Sequence, residues 1–248
     1  MRDDAITVGA IAIIAMSVAT AAHEAVGHGS ACLLLGGRIT LLTSVYFRCD
    51  LASRLVSPAG PLGNLVAGFA CWVAMRLLPD SQPRAKLFAL LLAAFSFFWA
   101  FAYLVSSLAT GRGDYAIAFR DFLGDNDASW RNGGIVVGVA LYLLFSRALR
   151  VAAAGLFGAR ISRLLQISWF AATIAAVAAA ALYAPSRSGA TLQAGLEIGV
   201  ASVPLLIPRR EAAGASEIPA IARSMGWLAA AFIVFAAFAL TLGAGYTS

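Results

Sequence analysis

The sequence predicts an all-α, polytopic membrane protein with about six or seven transmembrane helices. Three observations lead there. The 248 residues are 61% hydrophobic and only 12% charged, with a mean hydropathy of +0.84, whereas a water-soluble domain carries about 25% charged residues. Apolar runs near the length that a helix needs to cross a bilayer recur between short links rich in charge, Pro or Gly. None of those links is long enough to fold as a soluble domain, and so apolar a chain is not a disordered one.

The elements follow in order. Residues 5 to about 35 form the first apolar run, too long for one simple crossing, so part of it must tilt or leave the bilayer core. An Ala19-Thr20-Ala21 sequence resembles a cleavage site, but Asp3 and Asp4 make the leader acidic and the run continues past it, which favours an uncleaved span. Residues 39–47 are rich in β-branched and aromatic types, predicting a short strand or hairpin. Further spans are expected at residues 58–78, 87–110, 133–154, 164–184, 191–207 and 225–243, giving seven, with six or eight also compatible with the alanine-rich later segments. The link 79–86 reads as a polar turn, and residues 111–132 carry Asp114, Asp121, Asp125 and Asp127, a third of the acids.

The net charge of +6 comes from scarce acids, with no dense basic run, so the basic residues read as loop anchors facing a lipid bilayer and nucleic acid is excluded as a partner. With seven spans, the N-terminal tail and the second, fourth and sixth links hold 11 of the 18 basic residues and the opposite side holds 7, which favours a cytoplasmic N-terminus. Cys32, Cys49 and Cys71 have no CxxC spacing, and are expected to form neither a disulfide framework nor a zinc knuckle.

The chain has two histidines, both in His23-Glu24-Ala25-Val26-Gly27-His28 inside the first apolar run. Ionisable residues within a span are costly and point to function. Two imidazoles suit a zinc ion (Zn2+), and the adjacent carboxylate suits the base for a water. The usual zincin spacing is H-E-x-x-H, with both histidines on one helical face. Here the spacing is H-E-x-x-x-H, which separates the rings by about 140° around a regular helix. A π-bulge absorbs one extra residue and returns both to one face. Val26 is then the insertion, and Gly27 and Gly29 are expected to ease the deformation. The alternative is a buried polar network of His23, Glu24 and His28 without metal.

Residues 23–38, His-Glu-Ala-Val-Gly-His-Gly-Ser-Ala-Cys-Leu-Leu-Leu-Gly-Gly-Arg, resemble the first transmembrane motif of the site-2-protease family of intramembrane zinc metallopeptidases, family M50. Ser57-Pro58-Ala59-Gly60-Pro61-Leu62-Gly63-Asn64 is similar to that family's A-G-P-x-x-N entry to the following helix. The resemblance covers residues 1–127, implying a three-helix catalytic core there, and leaves 128–248 as additional transmembrane helices without an assigned role. It also implies a third zinc ligand, an aspartate on a later element. Asp114, after the third span in Gly111-Arg112-Gly113-Asp114, is the positional candidate, with Asp121, Asp125 and Asp127 as substitutes.

The implied function is a zinc metalloendopeptidase acting on membrane proteins, integral and multi-pass in a bacterial inner (plasma) membrane. Glu24 is then the catalytic base and His23, His28 and Asp114 are the metal ligands. Asn64 either contacts substrate or packs between helices, with Pro61 in the first turn of its helix. The strand-prone stretch with Val45 and Phe47 is expected to receive an unwound substrate segment at an exposed edge. Glu197, an isolated acid in the sixth span, reads as a structural helix contact. The rival readings are a noncatalytic pseudoprotease that binds membrane partners and a small ion or proton transporter. The resemblance places the catalytic end of the first span towards the cytoplasm, and the charge count places it on the other side.

Overall fold

Asp4 starts the first helix, α1 (Ala5–Leu34), by accepting hydrogen bonds from the Thr7 backbone N–H and hydroxyl. The computed structural model describes residues 3–124, 128–207 and 218–247. α1 is one continuous rod whose hydrogen bonding switches from α to π over Ala22–Gly29 and back over Ser30–Leu34. Gly36, at φ 86°, turns the chain out of the helix. A hairpin follows, β1 (Ile39–Leu42) and β2 (Phe47–Cys49), its turn held by the Thr43 hydroxyl, which accepts from the N–H groups of Val45 and Tyr46. A strand near the other end of the chain, β3 (Tyr246–Thr247), pairs with the second edge of β1, so the sheet order is β2-β1-β3 and β2 keeps an open edge.

The remaining helices are α2 (Val56–Leu77), α3 (Pro83–Thr110), α4 (Asp114–Leu123), α5 (Ala128–Phe157), α6 (Ile161–Ala180), α7 (Arg187–Ala194) and α8 (Met225–Phe238). Five helical runs among the described residues are long and apolar enough to cross a membrane: Ala5–Leu34, Val56–Leu77, Pro83–Thr110, Ser129–Ala180 and Met225–Gly243. The fourth spans 52 residues and doubles back at Gly158–Arg160. Arg131, early in α5, donates to the Leu108 and Ala109 carbonyls at the end of α3, whereas Arg160, at the reversal, pairs with Asp3 at 2.7 Å beside the start of α1.

Two expectations change here. Residues 191–207 were expected as a span, but the helix there is broken into α7, a π turn at Gly195–Val200 and a 3-10 turn at Val203–Leu205, where Pro204 supplies no backbone donor. The polar turn expected over 79–86 is confined to residues 79–82, because α3 begins at Pro83, and Lys86 is buried and reaches back to Asp80.

α1 is the axis of the bundle. It packs on α3, α6 and α8 around a core that includes Ile11, Met16, Leu90, Phe95, Trp99, Leu149, Leu164 and Leu242, with a smaller cluster of Ala10, Ile14 and Ala231 between α1 and α8. The outward faces expose Val66, Phe69, Val136, Val151, Phe232 and Leu240. Cys32 and Cys49 form a disulfide, their Cα atoms 6.0 Å apart, contrary to the expectation from their spacing. The hairpin returns β2 onto the last turn of α1, a juxtaposition that a separation of 17 residues does not announce. Closing such a loop contributes about 3 kcal/mol. Cys71 is a free, half-buried thiol.

α2 approaches the π segment through glycine. A methyl group at Gly27 would lie 2.5 Å from the Ala59 carbonyl oxygen and 2.6 Å from Gly60 Cα, and one at Gly63 would meet the Ala22 carbonyl. Gly27 therefore serves close approach between helices, a constraint beyond the relief of the bulge expected of it. Gly27→Ala is predicted to destabilise the protein by about 1–3 kcal/mol, seen as a lower melting temperature in detergent. Gly133→Ala, on α5 with open space around it, should raise it or leave it unchanged.

Candidate metal centre

The π turn places the two histidines. His23, Glu24 and His28 are buried, while Val26 points outward at 63% exposure. The extra residue is thus carried on the outer face, as the sequence predicts, and the imidazole centroids come to 5.0 Å. A substituent on Gly60 would collide with His28 Nε2, so α2 can pass this close only with glycine there.

Asp114 arrives from the far end of α3. Gly111 and Gly113, at φ 69° and 85°, fold the chain back into the bundle. The Ser107 hydroxyl secures the reversal by donating to the Arg112 carbonyl at 2.6 Å and accepting from Ala116 N–H at 3.0 Å. The Asp114 N–H donates to the Tyr103 hydroxyl at 3.0 Å. Its carboxylate Oδ2 lies 3.2 Å from His28 Nε2 and 3.4 Å from His23 Nε2. Burial pushes the Asp114 pKa up, but the hydrogen bonds and charge of His23 and His28 outweigh it and hold the carboxyl well below the usual range.

These three side chains can hold a metal ion. Their donor atoms all lie within 4.8 Å of one another. A tetrahedral ion with bonds of about 2.0–2.1 Å sets its ligand atoms about 3.4 Å apart, close to both measured separations. The outer nitrogens are backed as metal-bound imidazoles usually are. His28 Nδ1 donates to the Val56 carbonyl at 2.8 Å. His23 Nδ1 lies 3.1 Å from the Asn64 amide nitrogen, and Asn64 Oδ1, fully buried, has no partner. Turning that amide over lets Oδ1 accept Nδ1–H of His23 and frees Nε2 to bind a cation. Asn64 is thus a support for His23 from a neighbouring helix. Pro61 lies beyond the first turn of α2, which begins at Val56, and leaves the Ser57 carbonyl without its helical donor.

The centre lines a cavity of about 1680 Å³, with Glu24 in its wall. Glu24 Oε2 is buried and has no hydrogen-bond partner. Phe47, on β2, stacks on His28 at 5.1 Å, and Trp99 stacks on His23 at 4.3 Å. Val45 touches the cavity but sits in the hairpin turn, buried in the core, and is not on an exposed strand edge. Asp121 lines the cavity without joining the three ligands, and Asp125 and Asp127 lie outside the described residues.

Sequence reasoning missed Trp99 and Tyr103. Their spacing of four on α3, one helical face, was the available signal. It also underread Glu197. That residue does have a structural partner, Gln193, which donates at 2.7 Å, but it is buried in the wall of the same cavity. The segment after residue 127 therefore contributes to the site. Comparisons with protein-family models, with curated proteins and with solved structures returned no match.

Two predictions test this construction. Asn64→Ala should weaken metal binding about 10–100-fold, measured by competition with a chromogenic chelator, while leaving all three ligands in place. Deleting Val26 restores the regular i, i+4 spacing and should preserve both fold and metal affinity. Inserting an alanine after Val26 should abolish binding in the same assay.

Proposed function

We propose that this chain is an intramembrane zinc metalloendopeptidase that hydrolyses peptide bonds of membrane-protein substrates. The observation that carries the reading is the convergence of His23, His28 and Asp114 beside Glu24, a buried carboxylate with an unpartnered oxygen. The five long apolar runs and the apolar outer faces support an integral, multi-pass membrane protein, and a bacterial plasma membrane is the location proposed for it. The motifs of residues 23–38 and 57–64 support a core like that of the site-2 proteases, built from α1, α2, α3 and the reversal that delivers Asp114.

The donor set of two imidazoles and one carboxylate is that of catalytic zinc sites. When bound, zinc supplies Lewis-acid polarisation and acidifies water. His23, His28 and Asp114 hold the ion, with Asn64 and the Val56 carbonyl fixing the two rings. Glu24 accepts a proton from the attacking water as the water oxygen bonds to the peptide carbonyl carbon. Glu24 then returns the proton to the departing amine as the C–N bond breaks.

The cavity exceeds the roughly 300–1,000 Å³ of small-molecule sites and suits a length of polypeptide. A substrate helix must unwind to expose its carbonyls. Both edges of β1 are occupied, so the open edge of β2, which carries Phe47, is where an extended segment can add as a strand.

Purified protein is expected to hold one zinc per chain, lost in His23→Ala and His28→Ala and kept in Glu24→Ala. Cleavage of single-span membrane proteins reconstituted with it should fall about 10²–10⁴-fold in Glu24→Ala. Zinc-free protein would overturn the reading. Zinc-loaded wild type without Glu24-dependent cleavage would leave a metal-binding pseudoprotease.

A further inference from the structure

The two ends of the bundle are chemically different. One end carries Asp3, Arg160, Arg84 and Arg223, tied together across the start of α1 and the approach to α8. The other carries the hairpin, the Gly111–Asp114 reversal and the start of α7. The cavity is lined by residues of this second end, where the exposed Arg48, Arg54 and Arg112 border it.

The disulfide is also at that end, and it belongs to the construction of the site. Cys32 lies four residues after His28 on the same helical face, and Cys49 lies two after Phe47 on the same side of β2. The Cys32–Cys49 bond and the His28–Phe47 stack are therefore two successive rungs of one helix-to-strand contact. Gly37 closes over it, since a methyl there would lie 2.6 Å from Cys49 Sγ and 3.0 Å from Cys32 Sγ. Disulfides persist in oxidising compartments and not in the cytosol. On the seven-span count of the sequence, the N-terminal tail and the second, fourth and sixth links hold 11 of the 18 basic residues, which favours a cytoplasmic N-terminus.

We infer that the metal cavity opens to the non-cytoplasmic, oxidising side of the membrane, with the disulfide pinning one wall of its entrance. Its orientation is then opposite to the one implied by the family resemblance. Resting on the protease reading, this defines the substrate class: membrane proteins whose cleaved segment is presented at the non-cytoplasmic boundary.

The test uses the full chain in bacterial cells, with Cys71→Ala as background. Ser188→Cys marks the cavity end and Ser81→Cys the opposite end, both at exposed positions. A membrane-impermeant maleimide on spheroplasts is expected to label Ser188→Cys and to reach Ser81→Cys only after permeabilisation. In denatured Cys71→Ala protein, alkylation should add nothing before reduction and two adducts after it. Labelling of Ser81→Cys in intact spheroplasts, failure to label Ser188→Cys, or free Cys32 and Cys49 without reductant would overturn the proposal. None of these readouts involves zinc or proteolysis, so a correctly oriented but zinc-free protein would sink the enzyme assignment and leave the orientation standing.

Discussion

One carboxylate oxygen facing two imidazoles sets the terms for the rest of the molecule. Asp114 Oδ2 meets Nε2 of both His23 and His28, and those histidines are five residues apart on a helix. A regular α-helix cannot bring them together, so α1 must widen. A widened helix needs its neighbour at close range, which is why α2 crosses it at Gly27, Gly60 and Gly63. That approach in turn brings Asn64 and the Val56 carbonyl to the outer nitrogens of the two rings. The aspartate has its own requirement, a backbone reversal that two left-handed glycines and one serine hydroxyl provide.

Burying these polar groups in so apolar a bundle is unfavourable unless each is paired. The pairing is nearly complete for the two rings and for Asp114, and is conspicuously incomplete at Glu24 and Asn64 Oδ1. The aromatic neighbours Trp99 and Phe47 cover the ring faces without competing for their nitrogens. Chemistry is concentrated at one end of the bundle, while the other is closed by the Asp3–Arg160 pair and its neighbours. The helices after residue 127 are part of this plan, since α6 and α8 pack on α1 and the segment after α7 lends Glu197 to the cavity wall.

Much of this was legible in the sequence, for reasons that can be stated residue by residue. The π turn followed from counting between His23 and His28, because a single inserted residue has few structural solutions. The first and last long helices were bounded correctly, since charge, Gly and Pro mark their ends. Asp114 was reachable through its Gly-rich approach. What was not legible depended on contacts between distant segments. The Cys32–Cys49 bond needs the hairpin to fold back, β3 pairs with β1 from far along the chain, and Glu197 reaches the cavity from the π turn that follows α7. A further constraint on Gly27 was hidden for the same reason: it comes from the backbone of α2, outside the helix that Gly27 sits in.

The pairing of β1 with β3 has a consequence for biosynthesis. Leu42 opposes Tyr246, and contacts spanning roughly 200 residues form late because the loop they close must first exist. As the ribosome delivers the chain, the two histidines and Asp114 are inserted long before residues 246 and 247 are available to the sheet. The reactive interior is therefore built early, and its entrance is finished only once residues 246 and 247 have been made. A nascent chain of this protein carries the parts of its centre through the synthesis of every later helix among the described residues without a completed sheet at its mouth.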